Sequence, residues 1–328
     1  MVKISVLICT YNRADYLSGA IESCLNQTLA PDQYEILVAD NNSTDRTREL
    51  VNTYMQKYKN IRYIFEPVQG LNITRTSAAK SAQGKYIAYL DDDARADKEW
   101  LAVLLDAFEA QSPNPVCVGG KIFLDWEGPR PDWFPKEFDA LHAYLDHGDQ
   151  GFYLKADTPE HYLIGTNMAF FRQMVIDMGG FRTHCGRLKR RTISGAETEM
   201  INRIIGEGFP VYYCPEAIVK HIVVPERRTK KFLIKRVKGD GATQPLLDLD
   251  RKEFRDVNIC RRILYDARQM AKYFSKSLGL YFIGNKKQGF VQFLHAVQRW
   301  GRTEMELKFL YDKEFSSLWK QRHKSFSG

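Results

Sequence analysis

Short apolar runs rich in β-branched residues alternate with helical patterns through the first 110 residues of the chain. The runs KISVLIC, YEILVA, IRYIF and KYIAYL are apolar on both faces, and each is followed by a segment with the spacing of a helix. Strands of this kind, separated by helices, predict a largely parallel α/β sheet covered by helices on both faces. Sheets of this class bind ligands outside the carboxyl ends of their strands.

Polar clusters follow three of the four runs: TYNRAD after the first, DNNSTD after the second and DDDARAD after the fourth. We expect these clusters to meet, because the carboxyl ends of parallel strands share one edge of the sheet. No GxGxxG follows the first run, and GGKI at 119–122 lacks the leading glycine and the Ser/Thr of a phosphate-binding P-loop. Acidic strand ends next to the phosphates of a nucleotide require a divalent cation between them.

Three consecutive carboxylates, Asp91, Asp92 and Asp93, close the fourth run. One explanation is a solvated turn with an aspartate that caps the next helix, since aspartate is a preferred N-cap. Asp97, directly before KEWLAVLL, already fits that position. The three aspartates therefore favour metal binding.

Composition and charge narrow the class of protein further. The chain of 328 residues is 44% hydrophobic and 27% charged, as in ordinary soluble proteins, and no run approaches the ~18 apolar residues of a membrane-spanning helix. The six cysteines are scattered without a CxxC pair, which argues against a zinc ribbon or a disulfide scaffold and favours a cytoplasmic location.

The charge is unevenly distributed along the chain. From Lys220 onward, Lys and Arg outnumber Asp and Glu by 25 to 11, whereas before it they are outnumbered by 29 to 23. This asymmetry indicates a polyanionic partner.

The segments SVLICTYNR, ILVADNNSTDRT, GLNITRTSAAKSAQGKYIAYLDDD and GGF resemble, in order and spacing, the family 2 glycosyltransferases with the GT-A fold. The resemblance runs from Val2 to about Phe232. It implies an α/β fold of GT-A type, which is a Rossmann-like, mainly parallel sheet flanked by helices, with a C-terminal basic helical extension. The implied domains are 1–232, with a nucleotide-binding half at 1–110 and an acceptor and catalytic half at 111–232, and the extension at 233–328.

The resemblance also implies a metal-dependent donor site. Asp93 would coordinate the Mn²⁺ or Mg²⁺ that bridges the diphosphate of a sugar nucleotide, with Asp91 and His221 beside it. The implied donor-binding residues are Thr10, Tyr11, Arg13, Asp40, Arg75, Asp91, Asp92, Thr166 and Asn167. Four of the residues at this site have structural alternatives: an Asx-turn for Asp40, polar satisfaction of a buried strand end for Thr166 and Asn167, and a satisfied strand-end histidine for His221.

The segment SGAETEM aligns Glu197 with the catalytic base of the family, and Ala196 stands where an acid is usual. The competing explanation is structural, because Ser194 followed by Glu197 forms a capping box. We interpret Glu197 as the base. Glu199, two residues on, would point to another side of the helix.

Further residues are assigned to the acceptor or the diphosphate. Trp126 and Trp133, in the loop DWEGPRPDWFP, would stack on sugar faces or pin the loop to the surface. Arg190 and Arg191, in GRLKRR, would belong to a mobile lid. Arg227 and Arg228 would stabilise the diphosphate or form a solvated face.

The C-terminal extension is predicted to form basic amphipathic helices. DVNICRRILYDARQMAKYF is the first, and the second, GFVQFLHAVQRWGRTEMELKFLY, carries Phe290, Phe293, Leu294 and Val297 on one stripe. That stripe would pack on the catalytic domain. Docking of this segment on an anionic bilayer is the second explanation.

The resemblance implies an inverting, hexosyltransferase-type enzyme that moves a sugar from a nucleotide-diphosphate donor, most simply UDP-linked, to a hydroxyl of a glycan or lipid-linked acceptor. The expected setting is polysaccharide or glycoconjugate biosynthesis in the cytoplasm, with peripheral attachment to the inner face of the membrane, and nucleic acid is not an expected partner. Two alternatives stay open: a metal-dependent nucleotidyltransferase, and a non-catalytic polyanion-binding protein that uses the basic tail.

Overall fold

A computed structural model describes residues 1–156, 158, 160–182, 195–248 and 258–312 of the chain. These residues divide into two units. The first comprises the described residues of Met1–Pro129, His142–Lys189 and Ala196–Val224, and the second those of Arg130–Leu141, Arg190–Gly195 and Pro225–Gly328. The domain bounds at 1–232 and 233–328 stay a prediction.

The apolar runs of the first unit form strands, and the segments between them form helices. The strands are β1 Ile4–Thr10, β2 Tyr34–Asp40, β3 Ile61–Phe65, β4 Tyr86–Asp91, β5 Ala94–Ala96, β6 Cys117–Gly119, β7 Ile122–Asp125, β8 Phe152–Tyr153, β9 Asn167–Phe171, β10 Val211–Tyr213 and β11 Val219–Ile222. The helices are α1 Ala14–Leu25, α2 Thr47–Lys57, α3 Leu71–Ser81, α4 Trp100–Ala110, α5 Arg172–Asp177 and α6 Ala196–Gly206. The second unit holds α7 Lys230–Asp248, α8 Ile259–Phe282 and α9 Lys286–Tyr311, and 3₁₀ turns lie at Lys136–His142 and Pro225–Arg227.

Among the described residues, eight strands form one sheet in the order β3-β2-β1-β4-β9-β6-β10-β8. The first four strands pair in parallel, as do β6 and β10, which confirms the predicted mainly parallel sheet. Strand β9 runs antiparallel between β4 and β6. Because of this direction, the start of β9 lies beside the end of β4, with Asn167 opposite Leu90.

Helices cover both faces of this sheet, and successive strand residues point to opposite faces. Val6 packs in the core on one face with Leu17 of α1 and Trp100 of α4. Leu7 packs in the core on the other face with Ala78 of α3 and Met200 of α6. Full burial of one such large apolar side chain stabilises the fold by about 1.5–3 kcal/mol.

Helix α3 ends earlier than the sequence predicts. The pattern from Gly70 predicts a helix that runs to Gly84, but the last helical residue is Ser81 and Ala82 is already extended. Gly84 instead lies against the start of β1, where its N–H donates to Ser5 Oγ at 2.9 Å. A Cβ at this position would overlap the backbone of β1, so the close approach requires glycine.

A second, three-stranded sheet has the order β5-β11-β7. Strand β11 pairs antiparallel with β5, which places His221 opposite Ala94. The N–H of Ile222 donates to the carbonyl of Asp93 at 2.8 Å, so the pairing reaches into the aspartate cluster.

In the second unit, helices α7 and α9 cross at two glycines. A Cβ at Gly241 would collide with the carbonyl of Gln298, and a Cβ at Gly301 with that of Lys238. The three helices also share a buried cluster of ion pairs, in which Arg262, Arg299 and Arg302 face the carboxylates of Asp248, Asp266 and Glu306.

The apolar stripe of α9 is covered within the second unit. Phe290, Leu294 and Val297 are buried, and Phe290 meets Trp133 edge to face at 6.1 Å between ring centroids. Over the described ranges, no helix combines the length and the apolar composition needed to span a bilayer.

Candidate active site

The three polar strand ends meet at one edge of the main sheet, as predicted. The pairing of β1 with β2 sets Thr10 opposite Asp40, and the pairing of β1 with β4 sets Cys9 opposite Asp91. The carboxyl ends of β1, β2 and β4 therefore present their side chains to one shared region.

Asp92 is held under this edge by Thr10 and Arg13. Thr10 Oγ1 donates to Asp92 Oδ2 at 2.8 Å, and Arg13 Nη1 donates to Asp92 Oδ1 at 2.9 Å. Burial raises the pKa of the Asp92 carboxyl to about 7, although the charge of Arg13 opposes this shift. Arg13 Nη2 also donates to Asp93 Oδ2 at 2.8 Å, so one guanidinium fixes two neighbouring acids.

Asp91, Asp93 and His221 form a cluster with the chemistry of a metal site. One ligand atom from each residue can be chosen so that all three lie within 4.8 Å of one another. His221 Nε2 lies 3.3 Å from Asp93 Oδ1, and both side chains are almost fully buried. The β5–β11 pairing creates this arrangement across 128 residues of sequence, because it sets His221 next to the strand that follows Asp93.

Arg75 connects this cluster to Glu197. Its Nη1 lies 2.6 Å from Glu197 Oε1, and its Nη2 lies 3.6 Å from Asp91 Oδ1. Burial alone would lower the pKa of Arg75, but Glu197 and Asp91 raise it above its ordinary value, so the guanidinium stays charged. Tyr89 and Phe181 lie within 6 Å of the guanidinium carbon and complete the enclosure.

Gly165 makes room for this ion pair. A Cβ at residue 165 would collide with the carboxylate of Glu197 and would lie 2.7 Å from Arg75 Nη2. The glycine in YLIGTNM, which was not among the predicted site residues, is the sequence signal that points to such a close approach.

The two polar residues after Gly165 take different positions. Thr166 Oγ1 donates to Asp91 Oδ2 at 2.6 Å, which places it at the acidic cluster. Asn167 is fully buried and accepts from Trp100 Nε1 at 2.8 Å, while its amide donates to the carbonyls of Lys121 and Ala217. Its contacts match the structural alternative, in which an asparagine satisfies a buried strand end.

Asp40 and Tyr11 lie at the far side of the edge. Asp40 is 1% exposed, and its two oxygens accept from Ser43 N at 2.9 Å and Tyr63 Oη at 2.7 Å. The Asx-turn alternative is therefore present, and a direct contact of Asp40 with a nucleotide base stays a prediction. Tyr11 is 47% exposed and offers an open ring face.

Glu199 is a structural residue of the first unit. It is 1% exposed, and its Oε1 lies 3.0 Å from Arg182 Nη1 and 2.8 Å from Arg203 Nε. Glu197, two residues before Glu199 on α6, faces Arg75 instead. The predicted capping box cannot be described, because Ser194 lies outside the described residues.

The aromatic and basic residues assigned to the acceptor or diphosphate are dispersed. Trp126 is 8% exposed and meets the ring of His142 edge to face, so it belongs to the core of the first unit. Trp133, Arg227 and Arg228 belong to the second unit, and their roles stay predictions. Arg190 and Arg191 lie outside the described residues.

Two asparagines that were not among the predicted site residues organise the turns at this edge. Asn12 has a left-handed backbone with φ of 52°, and its Oδ1 accepts from Thr44 N at 2.7 Å. Asn41 Oδ1 accepts from Gly70 N at 2.7 Å, which fixes the entry to α3. Asparagine tolerates a left-handed backbone and hydrogen-bonds nearby amides, so the asparagines in YNR and DNNS are a sequence signal for such turns.

Comparison with known families identifies the fold and the enzyme class. The family model described as "Glycosyl transferase family 2" matches residues 5–179, which is more than half of the chain. The chain belongs to glycosyl transferase family 2. The predicted GT-A fold and the predicted glycosyltransferase activity are thereby confirmed.

Several proteins named as glycosyltransferases are similar to the chain in sequence. A glucosyl-dolichyl phosphate glucuronosyltransferase of Haloferax volcanii is 29% identical over 251 residues, which cover 76% of this chain and 78% of the relative. A validoxylamine A glucosyltransferase of Streptomyces hygroscopicus is 30% identical over 161 residues, 48% of this chain and 35% of the relative. A poly(ribitol-phosphate) beta-glucosyltransferase of Bacillus spizizenii is 38% identical over 120 residues, 36% of this chain and 19% of the relative.

Solved structures share the fold at lower identity. The mannosyltransferase PcManGT from Pyrobaculum calidifontis, in complex with GDP-Man and Mn²⁺, aligns with a TM-score of 0.63 at 17% identity and covers 95% of this chain and 88% of its own. TarS 1-349 of S. aureus, in complex with UDP, aligns with a TM-score of 0.52 at 14% identity and covers 94% of this chain and 91% of its own. At these identities, the likeness supports the fold alone.

Proposed function

We propose that this family 2 enzyme is an inverting glycosyltransferase that transfers a sugar from a nucleoside diphosphate sugar to a hydroxyl of a glycan or lipid-linked acceptor. One observation carries the proposal: Arg75 contacts both the acidic cluster, at Asp91, and a separate carboxylate, Glu197. In this proposal the diphosphate binds at the acidic cluster and Glu197 is the base, and the guanidinium of Arg75 lies between the two. This is the spacing expected when a leaving group and an acceptor flank one sugar.

The donor set fits a divalent cation. Asp91 and Asp93 supply carboxylate oxygens and His221 supplies an imidazole nitrogen, all within 4.8 Å. The imidazole favours Mn²⁺ over Mg²⁺, because Mg²⁺ prefers oxygen ligands alone. When bound, such a cation would neutralise the charge that develops on the leaving diphosphate.

The side chains of the cluster are positioned in advance by their neighbours. Arg13 holds Asp92 and Asp93, and Thr166 holds Asp91, so the carboxylates keep one geometry. Groups that are already fixed need no reorganisation when the donor binds, so little free energy is lost in ordering them. Tyr11, exposed beside Thr10, supplies a ring on which a nucleotide base would stack.

Glu197 is proposed to accept the proton of the acceptor hydroxyl. The acceptor oxygen then bonds to the anomeric carbon as the bond from that carbon to the diphosphate breaks on the opposite face, and the nucleoside diphosphate leaves with the electron pair. Arg75 Nη1 lies 2.6 Å from Glu197 Oε1 and so holds this carboxylate beside the acidic cluster. No covalent sugar–enzyme intermediate is required.

The relatives support the choice of substrates within this proposal. One structural neighbour is a complex with UDP and the other a complex with GDP-Man, so a nucleoside diphosphate and a nucleoside diphosphate sugar each bind to a protein of this fold. The Haloferax volcanii relative is named for a dolichyl phosphate-linked acceptor, and it aligns over most of both chains. We infer a uridine-linked donor and a lipid-linked acceptor as the first pair to test.

The test is a thermal-shift panel of UDP, GDP, CDP and TDP, each with and without Mn²⁺, followed by turnover of the matching sugar nucleotide. The variants are Asp93→Ala and His221→Ala, and Asp106→Ala is the control because Asp106 is an exposed acid on α4. A ligand of the native state raises the melting temperature with its affinity. We expect Mn²⁺-dependent stabilisation by one diphosphate, lost in both site variants and kept in the control.

Two outcomes would overturn the proposal. When the matching nucleoside triphosphates are run in the same assay, stabilisation by a triphosphate in preference to every diphosphate would favour nucleotidyl transfer. No shift with any nucleotide, together with salt-sensitive binding to polyanions, would favour a non-catalytic role for the basic tail.

A further inference from the structure

Helix α8 leaves a stripe of large apolar side chains uncovered. Leu264, Phe274, Leu278 and Phe282 are 57%, 48%, 46% and 88% exposed. Their spacing of ten, four and four residues places them on one side of the helix. Single exposed apolar residues are ordinary, but a contiguous patch of them marks an interaction surface.

The stripe continues into the turn that joins α8 to α9. Ile283 is 77% exposed and Tyr281 is 41% exposed. Gly284 has φ of 82°, a left-handed conformation that ends α8, and Asn285 caps α9 by accepting from Gln288 N at 3.3 Å. The turn is therefore a defined structure that presents apolar side chains.

The exposed charge around the stripe has one sign. From Ile259 to Lys287, the one acid is Asp266, which is 1% exposed and pairs with Arg299 and Arg302 of α9. The exposed basic residues of this segment are Arg261, Arg268, Lys272, Lys276, Lys286 and Lys287. Within the segment, no exposed carboxylate offsets them.

The opposite side of α8 is fixed to its own unit. Ser277 Oγ donates to the carbonyl of Gly289 at 2.8 Å, and Asp266 lies in the buried ion cluster. The outward side therefore needs no rearrangement to be available. The apolar stripe predicted on α9 is the one that packs inside the unit, so the surface lies on the helix before it.

We propose that α8 and the turn to Lys287 dock on an anionic phospholipid bilayer. A helix of 24 residues, about 36 Å long, would lie in the plane of the membrane with its apolar stripe among the acyl chains and its lysines at the phosphates. Aliphatic Leu264, Leu278 and Ile283 favour a bilayer over nucleic acid, whose bases stack on aromatic rings. This surface is independent of the proposed transfer reaction, because none of its residues lies at the donor cluster.

The experiment measures co-sedimentation of the full chain with vesicles, without any sugar nucleotide. Vesicles of phosphatidylcholine alone are compared with vesicles that also contain phosphatidylglycerol, at low and high salt. We expect binding to the anionic vesicles that weakens with salt, because lysines and arginines near an anionic surface attract it and salt screens this attraction.

Two double variants separate the apolar and the basic contributions. Phe282→Ser with Ile283→Ser, and Lys272→Glu with Lys276→Glu, should each weaken binding about tenfold or more. The matched controls are Phe209→Ser, an exposed aromatic of the first unit, and Lys57→Glu with Lys59→Glu, the same charge change on exposed lysines of that unit. Both controls should bind vesicles like the wild type.

A fluorescent reporter tests insertion directly. In Phe282→Trp, the tryptophan emission should shift to the blue with anionic vesicles and stay unchanged with phosphatidylcholine alone. Equal loss of binding in variants and controls, binding that ignores lipid charge, or preference for single-stranded RNA over vesicles would each overturn the proposal. Donor turnover with a soluble acceptor should be unaltered in the α8 variants, so loss of docking is distinguishable from failure of the proposed reaction.

Discussion

At the scale of single residues, Glu197 and Glu199 are a natural contrast, because two carboxylates on one helix have different partners. Glu197 is partly exposed and faces Arg75 at the acidic cluster, whereas Glu199 is buried between Arg182 and Arg203. The environment of each side chain, and not its position in the motif, separates a candidate base from a structural acid.

We expect Glu197→Gln to lower kcat by about two to four powers of ten, because an amide cannot accept the acceptor proton. The nucleotide-induced thermal shift should remain, since Glu197 is not among the ligand atoms of the cluster. Steady-state turnover and the thermal shift together measure these effects.

The matched variant Glu199→Gln should act on stability instead. It leaves two arginines without their buried carboxylate, and breaking a buried ion pair costs about 3–5 kcal/mol in the free energy of unfolding. If Glu197→Gln instead turns over at the wild-type rate, Glu197 is not the base.

Gly165→Ala should lower turnover through the Arg75–Glu197 pair. The added methyl overlaps the Glu197 carboxylate, so the pair must separate or rotate. Gly206→Ala, at the end of α6 where a Cβ meets nothing within 4 Å, is the control and should keep wild-type turnover. Equal turnover of Gly165→Ala and Gly206→Ala would show that the Arg75–Glu197 pair does not depend on the space left by Gly165.

The site was predictable in part at this scale. Asp91 and Asp93 stood out because three acids at a strand end are more than the capping of the next helix needs. The contact of Arg75 with Glu197 joins residues 122 apart in sequence, and no local pattern encodes such a contact. Asn167 was assigned to a sugar on the basis of its motif, but its polar atoms face Trp100, Lys121 and Ala217. Only the fold determines such neighbours.

At the scale of elements, the first four strands were predictable because their apolar residues are continuous and each precedes a helical pattern. The antiparallel insertion of strand β9 between β4 and β6 was not predicted. Strand direction depends on pairing with distant segments, which one sequence does not display. That insertion carries Gly165 and Thr166 to the end of β4 and so completes the site.

The crossing of α7 and α9 should depend on its glycines. Gly241→Ala and Gly301→Ala each insert a methyl against a backbone carbonyl, and such overpacking costs about 1–3 kcal/mol in the free energy of unfolding. Gly279→Ala, on α8 where a Cβ meets nothing within 4 Å, should instead gain up to ~1 kcal/mol from helix propensity. Urea unfolding of the three variants measures the contrast, and equal effects would contradict close packing at the crossing.

His295 should make the second unit sensitive to acid. The centroid of its ring lies 5.5 Å from that of Phe138 and 5.3 Å from that of Tyr273. Burial lowers the pKa of His295 below the ordinary 6.5, and the charges of Arg299 and Lys276 act in the same direction. The unfolded chain therefore binds the proton more readily than the folded one. This contribution to stability is complete above pH 6.5 and declines as the pH falls below it.

The check is the free energy of unfolding of the wild type and of His295→Gln between about pH 5 and pH 8. The difference between the two proteins should change as the pH falls below 6.5, because other titrating groups such as Glu306 are common to both. A constant difference would show that His295 has the same proton affinity in the folded and unfolded chain.

At the scale of the whole molecule, the sequence separates an acidic front from a basic back, and the structure shows where the basic residues act. Three arginines of the second unit, Arg262, Arg299 and Arg302, pair with buried acids. The charge left at the surface of α8 comes mainly from Lys272, Lys276 and their neighbours. The net charge therefore predicted a polyanionic partner, but only the fold distinguishes arginines that pair with buried acids from basic side chains that face solvent.

Each proposed ligand should protect its own unit against hydrogen exchange. Binding to the native state alone adds RT ln(1 + [L]/Kd) to the free energy of opening, about 2.7 kcal/mol at a hundredfold excess over Kd. A nucleoside diphosphate with Mn²⁺ should slow exchange in peptides from β1 and β4, whose ends carry Thr10 and Asp91. Anionic vesicles should slow exchange in α8, and Asp93→Ala should remove only the first effect. Protection of α8 by the nucleotide, with none at β1 or β4, would place the donor site outside the strand-end cluster.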